Sequence, residues 1–567
     1  MAQISTLSFF GGGLAAGAVA VAISLFLRLF IGGLFVPELA SQTLFSLTPG
    51  EVESQAVQTL GPLAKYSSFI GAVIANIIVY GLIGILLGRL YSKLPWKGYL
   101  GRAIQSSIIA YVILLAVSML LLTLTEATTG AVSFSDLVIY LIPPNIGFGF
   151  ILPFFYERRI LPVYLHRQQQ QPPTLPSKNK KEISADTSPS SSSDSSSKTE
   201  VDYKKRLFLR AGIASAIALP FLFYGTNRLL FSPSPSSMPS PSILQSGPKP
   251  VGFENPVLTP LLQSEITPTD LFYRIDINPI TPMVNANTWR LTVKGLVSNP
   301  FEMTYEELKA MPSVEQYATL ECISNKIGGD LISNAIWKGV RLKDLLDKAQ
   351  IKSGAKYIVF RCFDGYDVGI PFEKGLEDGT ILAYEMNKAA LTPAHGYPVR
   401  AIVPNIYGMM NAKWITQIEI VDYVYEGFWQ RKGWSNIAKY NTHSYTVIPG
   451  NASVGKRFRG FQSASSTNNV LNGGGGGVTI GGIAFAGDRG ISKVEVSTDN
   501  GSTWKAATIK EPLSQYTWVL WAAELNQSGN KEYRVIVRAT DKTGTVQTNK
   551  IADPFPNGAT GYHIISL

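Results

Sequence analysis

Cys322 stands in Thr319-Leu320-Glu321-Cys322-Ile323-Ser324-Asn325, a loop-like run that continues to Gly328-Gly329. As a thiolate, a cysteine so placed is a soft metal ligand that can project into a cleft. Further along the chain come His395-Gly396-Tyr397-Pro398-Val399-Arg400 and Lys413-Trp414. Arginine offers a planar fork of donors and lysine a mobile point charge, which together suit an anion such as phosphate. Asn411 and Ala412 add backbone N–H groups just before Lys413. Alone, His395 reads equally well as a core histidine; the adjoining Gly, Pro and Arg make it part of the same candidate cradle.

These side chains need a scaffold of short mixed elements. Thr304-Tyr305-Glu306-Glu307 is a capping-box signature that opens a helix. Leu342, Leu345 and Leu346 give a second helix one apolar face, and Ile418 and Ile420 alternate with Gln417 and Glu419 in a strand after Lys413. Cys362 lies in Lys356–Phe363, rich in β-branched and aromatic residues, and reads as a buried strand cysteine. A Cys322–Cys362 disulfide is the other reading open to two cysteines in an exported chain. After about Thr446 the pattern turns to β: Val494 and Val496 alternate with Lys493 and Glu495, an Asp499-Asn500-Gly501 turn follows, and strands are predicted over Tyr516–Trp521 and Tyr533–Ala539. Gly473–Gly477 lacks a following Lys-Ser/Thr and reads as an inter-strand connection rather than a phosphate loop.

The order Cys322, His395, Arg400, Lys413, Trp429 resembles the sulfite oxidase family of molybdopterin enzymes. Tyr273-Arg274-Ile275-Asp276, Trp289–Gly295, Trp337-Lys338-Gly339-Val340 and Asp364-Gly365-Tyr366 fall in the family's order too, so the resemblance runs from about Phe272 to the C-terminus. It implies that Cys322 binds molybdenum beside the pterin. Tyr273, Asp276, Asn325, Asp364, His395, Arg400, Asn411, Ala412 and Lys413 would then hold the cofactor, with Arg274, Lys326 and Trp434 near the substrate. It also implies a C-terminal immunoglobulin-like domain through which the chain forms a homodimer. Two departures matter. Ile327 stands where that family places a basic residue five positions after the cysteine, and Trp434 replaces its active-site tyrosine, so sulfite oxidation is not expected. Asp276 also takes the place of a pterin-contacting histidine of the animal enzymes.

The 567 residues are 46% hydrophobic, with a mean hydropathy of +0.12, which is apolar for a wholly soluble chain. Four runs, about Phe9–Val36, Ser67–Leu90, Ala103–Leu124 and Leu137–Phe155, are long enough to cross a bilayer. Arg89, Lys93, Lys97 and Arg102 flank one pair of ends and Arg158, Arg159 and Arg167 another, whereas Glu38, Glu51, Glu53, Glu126 and Asp136 occupy the other connections. Positive connections stay in the cytoplasm, so the N-terminus is inside and a fifth run, Leu207–Tyr224, carries the rest of the chain outward. Much of the +10 charge sits in these flanks, which argues against nucleic acid as a partner. Arg28 inside the first run is either a functional charge or one that snorkels to the surface. None of the four histidines lies in an apolar run, so no bis-histidine haem is expected in the membrane part.

Lys205-Arg206-Leu207-Phe208-Leu209-Arg210 resembles a twin-arginine export signal; ordinary positive-inside flanking charge is the plainer reading. A cofactor loaded in the cytoplasm favours the former, since the domain must then be exported folded. The expected organisation is multi-domain: a four-helix transmembrane region (1–165), a disordered cytoplasmic linker (166–203), a signal anchor (204–230), a Ser/Pro spacer (231–250), an α+β molybdopterin domain (251–445) and an immunoglobulin-like β-sandwich (446–567). The expected function is an oxidoreductase of the bacterial cytoplasmic membrane, with its catalytic domain outside, acting on a small S- or N-oxide or oxyanion and exchanging electrons with a separate quinone or cytochrome partner. The alternatives are a non-enzymatic surface protein with a relic molybdopterin fold and a reductase of protein methionine sulfoxide.

Overall fold

The computed structural model describes residues 6–31, 33–60, 63–91, 93–124, 134–157, 265–278, 280–448, 477–526 and 534–566. The linker, the Lys205-Arg206 segment, the fifth apolar run, the Ser/Pro spacer and Gly473–Gly476 lie outside the described residues. The described chain divides into two compact units, and Leu47–Lys65 belongs to the second, together with everything described from residue 265 on.

The first unit is helical. Its helices are α1 (Thr6–Ile31) and α2 (Val36–Leu47), then, after α3 (Gly50–Leu60) of the second unit, α4 (Leu63–Leu90), α5 (Tyr99–Leu124), α6 (Phe134–Tyr140) and α7 (Ile142–Phe155). Among the described residues, four stretches are long and apolar enough to cross a membrane: Ser8–Phe30, Tyr66–Leu90, Tyr99–Leu124 and Phe134–Phe155. The first apolar run therefore ends earlier than its hydropathy suggests, and Val36 opens a separate helix. In the fourth, prolines at the start of α7 supply no N–H to continue α6. α1 and α4 meet backbone to backbone, since a Cβ on Gly84 would lie 2.6 Å from Gly13 Cα. Arg28 is paired, its Nε donating to Glu38 Oε2 at 2.8 Å.

Among its described residues the second unit carries four sheets. Its strands are β1 (Arg290–Gly295), β2 (Phe301–Thr304), β3 (Ser313–Glu321), β4 (Ile332–Arg341), β5 (Tyr357–Cys362), β6 (Asp367–Pro371), β7 (Ile381–Met386), β8 (Ala389–Ala390), β9 (Arg400–Ile402) and β10 (Ile415–Val421). β2-β1-β10-β5-β6 form one sheet, in which only the β1–β10 pair is parallel. A second sheet runs β3-β4-β7-β8, with β9 paired to β7. The capping box is present: Thr304 Oγ1 accepts from Glu307 N at 3.2 Å, and Glu307 Oε2 accepts from Thr304 N at 2.7 Å. The helix Leu342–Ala349 buries Leu342, Leu345, Leu346 and Ala349, the one-sided spacing that commits it to the core beside Ile358 and Phe360.

Beyond residue 442 come β11 (His443–Ile448), β12 (Gly477–Phe485), β13 (Ile491–Ser497), β14 (Lys505–Ala506), β15 (Thr508–Ile509), β16 (Val519–Asn526), β17 (Arg534–Asp541) and β18 (His563–Ser566). They make two four-stranded sheets, β11-β12-β16-β15 and β14-β13-β17-β18. The Asp499 turn joins β13 to β14, its carboxylate accepting from Thr503 N at 2.9 Å. Cys322 and Cys362 are both free and buried, so no disulfide joins them.

Candidate active site

Cys322 leaves β3 and enters a loop that Asn325 closes. Leu331 N donates to Asn325 Oδ1 at 3.0 Å, Asn325 Nδ2 donates to Glu321 Oε1 at 2.9 Å, and Cys322 N donates to Leu331 O at 2.9 Å. Gly328 turns this loop at φ +76, in the left-handed region that favours glycine. Burial pushes the Cys322 thiol pKa up, while hydrogen bonding with Ser324 acts in the opposite direction. Cys362, at the end of β5, is raised much further by burial and stays a packed thiol opposite Ile415.

His395, Arg400 and Lys413, up to eighteen residues apart, are gathered by one turn. Gly396 adopts φ +105, and a Cβ there would lie 3.0 Å from Arg400 Cβ and 3.1 Å from Lys413 Cβ. His395 Nε2 lies 2.8 Å from Thr269 O, a carbonyl that can only accept, so the neutral ring carries its proton on Nε2 and leaves Nδ1 as the acceptor. Burial, reinforced by Arg400 and Lys413, lowers its pKa to about 3.

Arg400 is buried, and among the described residues no carboxylate pairs with it. Its Nη1 donates to His395 O at 3.2 Å, its guanidinium lies 4.9 Å over the Trp337 ring, and its Nε has no partner among the described residues. Burial brings its pKa down to about 10. A buried cation with an orphaned donor is a place prepared for an anion. Beside it, Lys413 Nζ donates to Asp276 Oδ2 at 3.2 Å, and Arg274 Nε donates to the same oxygen at 2.8 Å. Asp276 thus joins two cations, an arrangement open to it and not to the histidine expected from the animal enzymes. Arg274 Nη2 also donates to Thr281 Oγ1 at 2.6 Å.

Asn411 spends its amide on its own loop, with Oδ1 accepting from Val403 N at 2.7 Å and Nδ2 donating to Tyr407 O at 3.3 Å. Ala412 is buried, and its carbonyl accepts from Ala401 N at 2.8 Å. Asp364 accepts from Asn278 Nδ2 at 2.8 Å, and burial raises its pKa to about 7. Tyr273 is buried in the same apolar cluster as Cys322 and Trp337 and stacks on Phe272. Trp434 is buried in the larger core cluster, which also holds Ile323 and Met410, and packs edge-on to Phe555 at 5.1 Å. Thr269 and Trp337 support the cradle without a signal in the sequence that assigns them this role, although Trp337 lies in the Trp337-Lys338-Gly339-Val340 motif. The same holds for Glu321, whose Oε1 lies 3.5 Å from His443 Nε2 beside the metal-ligand candidate.

Residues 278–429 match the oxidoreductase molybdopterin binding domain and residues 463–553 the Mo-co oxidoreductase dimerisation domain. The "Uncharacterized oxidoreductase YuiH" of Bacillus subtilis (strain 168) is 34% identical over 146 residues, which cover 26% of this chain and 72% of that one. The chain belongs to the sulfite oxidase-type molybdopterin oxidoreductases. Sulfite oxidase of Arabidopsis thaliana is 28% identical over 365 residues, covering 55% of this chain and 89% of that protein. A crystal structure of the sulfane dehydrogenase SoxCD from Paracoccus pantotrophus aligns with a TM-score of 0.45 and 23% identity, over 59% of this chain and 90% of that one.

As a member of this family the protein is an oxidoreductase that uses a molybdenum–molybdopterin cofactor. The residues present fit that group: the orphaned Nε of buried Arg400 asks for an anionic acceptor, and Cys322 supplies a soft sulfur donor.

Proposed function

We propose that the protein is a membrane-anchored oxidoreductase whose catalytic domain lies outside the cytoplasmic membrane and acts on a small S- or N-oxide or an oxyanion by oxygen-atom transfer. The cofactor, when bound, supplies two-electron redox chemistry. Cys322 ligates the metal. Arg400, Lys413 and His395 hold the pterin and its phosphate, with Asn325 and Asn411 shaping the loops around them. Tyr273, Asp276 and Asp364 border the cofactor, and Arg274 and Trp434 border the substrate.

The observation that carries this reading is buried Arg400, which has no carboxylate partner among the described residues and lies next to Lys413. A structural arginine at that depth would be expected to pair with an acid, whereas an anion-binding one must be left available. Among the described residues no three His, Cys, Asp or Glu side chains gather where they could hold a metal ion, and Cys322 is the residue that would hold the cofactor's metal through its soft sulfur.

Four apolar helices support anchoring. The connection that carries Glu51 and Glu53, read from its charge as extracytoplasmic, belongs to the same compact unit as the catalytic residues, which supports placing both on one face. Two four-stranded sheets after residue 442 support an immunoglobulin-like sandwich, and the dimerisation domain supports a homodimer. A separate quinone or cytochrome is the electron partner.

The deciding experiment is metal analysis of the purified protein, followed by a dye-coupled screen of S-oxides, N-oxides and sulfite. Stoichiometric molybdenum with turnover of a small oxide supports the reading; absence of molybdenum would favour the relic fold. Protease accessibility on both membrane faces, with Lys205 and Arg206 changed to glutamine as the export-defective control, tests sidedness.

A further inference from the structure

A helix from the N-terminal region is built into the catalytic unit. α3 follows the first membrane-length helix in sequence, yet Glu53 Oε1 accepts from Lys432 Nζ at 2.6 Å, across 379 residues of chain. Both side chains are buried, at 8% exposed for Lys432 and 4% for Glu53. Lys432 Nζ also donates to Thr48 O at 3.3 Å and lies 4.6 Å over the Phe428 ring and 5.5 Å over that of Trp429. Gly50, the first residue of α3, abuts the same segment: a Cβ there would lie 2.6 Å from Lys432 O, 2.9 Å from Trp434 Nε1 and 3.1 Å from Phe555. Gly433, at φ +92, then turns the chain so that Trp434 faces this contact. Trp434 is therefore wedged between Phe555 and the start of α3.

The contacts continue toward Cys322. Gln430 Nε2, in the same turn, lies 3.7 Å from Met410 Sδ. Two residues before Met410, a Cβ on Gly408 would lie 3.1 Å from Glu321 O, the carbonyl preceding Cys322.

We propose that α3 is a built-in cap on the Trp429–Trp434 segment and that Glu53 is a positioning residue, which sets Trp434 by holding Lys432. The role rests on the reading of Trp434 as a wall of the substrate site. It gives the N-terminal region a task in addition to anchoring: the connection between the first two membrane-length helices completes the catalytic unit. A buried ion pair suits this task because removing one partner strands the other charge, so the segment has one favoured position.

The test is hydrogen exchange on the full-length holoenzyme, read at the Lys432, Gly433 and Trp434 amides, which donate to Trp429 O, Gln430 O and Trp429 O. Glu53→Gln is expected to speed their exchange about ten-fold, a local opening with the global fold retained. The double variant Glu53→Gln/Lys432→Met, which leaves no stranded charge, is expected to restore protection and the wild-type Mo(V) resonance signature. Glu265→Gln breaks another buried pair, with Lys510, and is expected to leave this segment unchanged. Unchanged exchange in Glu53→Gln, or loosening that the double variant fails to rescue, overturns the proposal. A protein that purifies without molybdenum would defeat the reading of the site instead, while the exchange result would still judge the cap.

Discussion

Arg400 lies with its guanidinium 4.9 Å over the ring of Trp337, and the two residues come from different strands of one sheet, β9 and β4. The indole gives the buried cation a face to rest on without neutralising it. Arg400→Lys keeps the charge but loses the fork and the stacking. It is expected to weaken cofactor retention by about 1.5–3 kcal/mol, roughly 10- to 150-fold in binding. Pterin and molybdenum content per chain checks this, and full occupancy would refute the anion role.

Cys322→Ser is expected to abolish turnover and change the molybdenum–sulfur spectrum, because serine offers a hard oxygen in place of a soft sulfur. Cys362→Ser should do neither. Its cost is confined to packing and to a buried hydroxyl at the end of β5, about 1–3 kcal/mol. X-ray absorption and turnover of the two variants, measured side by side, decide between a ligand and a structural thiol.

The depressed pKa of His395 gives a stability effect of definite sign. With a folded value of about 3 against an ordinary value near 6.5, the unfolded chain binds more protons in that window. The stabilising contribution is therefore complete above about pH 6.5 and shrinks as pH falls toward 3, at a limiting slope of about 1.4 kcal/mol per pH unit. Asp364, raised to about 7, acts in the opposite direction: its contribution is present at acid pH and fades as pH rises through 7. The difference in melting temperature between wild type and His395→Gln should thus fall on acidification from pH 7 to pH 4. A constant difference would contradict the buried neutral ring.

Sulfite turnover is expected to stay far below the roughly 10 per second typical of enzymes. Ile327 offers no charge to an oxyanion, and Trp434 has no phenolic hydroxyl. Ile327→Arg combined with Trp434→Tyr is expected to raise sulfite turnover relative to wild type. Enzyme-like sulfite oxidation by the unmodified protein would overturn the assignment of these two positions.

Local features were legible from sequence because they depend on neighbours in the chain. The four apolar runs, the Thr304–Glu307 capping box, the leucine face of the helix Leu342–Ala349 and the alternation of Val494 and Val496 each follow from periodicity or from side-chain-to-backbone reach. The Cys322 loop and the basic residues after it could be named as chemistry because residue type fixes charge and softness. The pairing of Arg274 and Lys413 on Asp276, the ring of Trp337 under Arg400 and the carbonyl of Thr269 at His395 had no such signal. Glu53 was read only as a charge that marks a membrane face, and Lys432 lies 379 residues away. Partners so distant are chosen by which buried charges the packed chain brings into reach of each other, a condition of the whole fold that no local window contains. Sequence by itself determined the family, the elements and the chemistry available; tertiary packing decided which cation is left open to an anion and which is tied by a helix from the chain's other end.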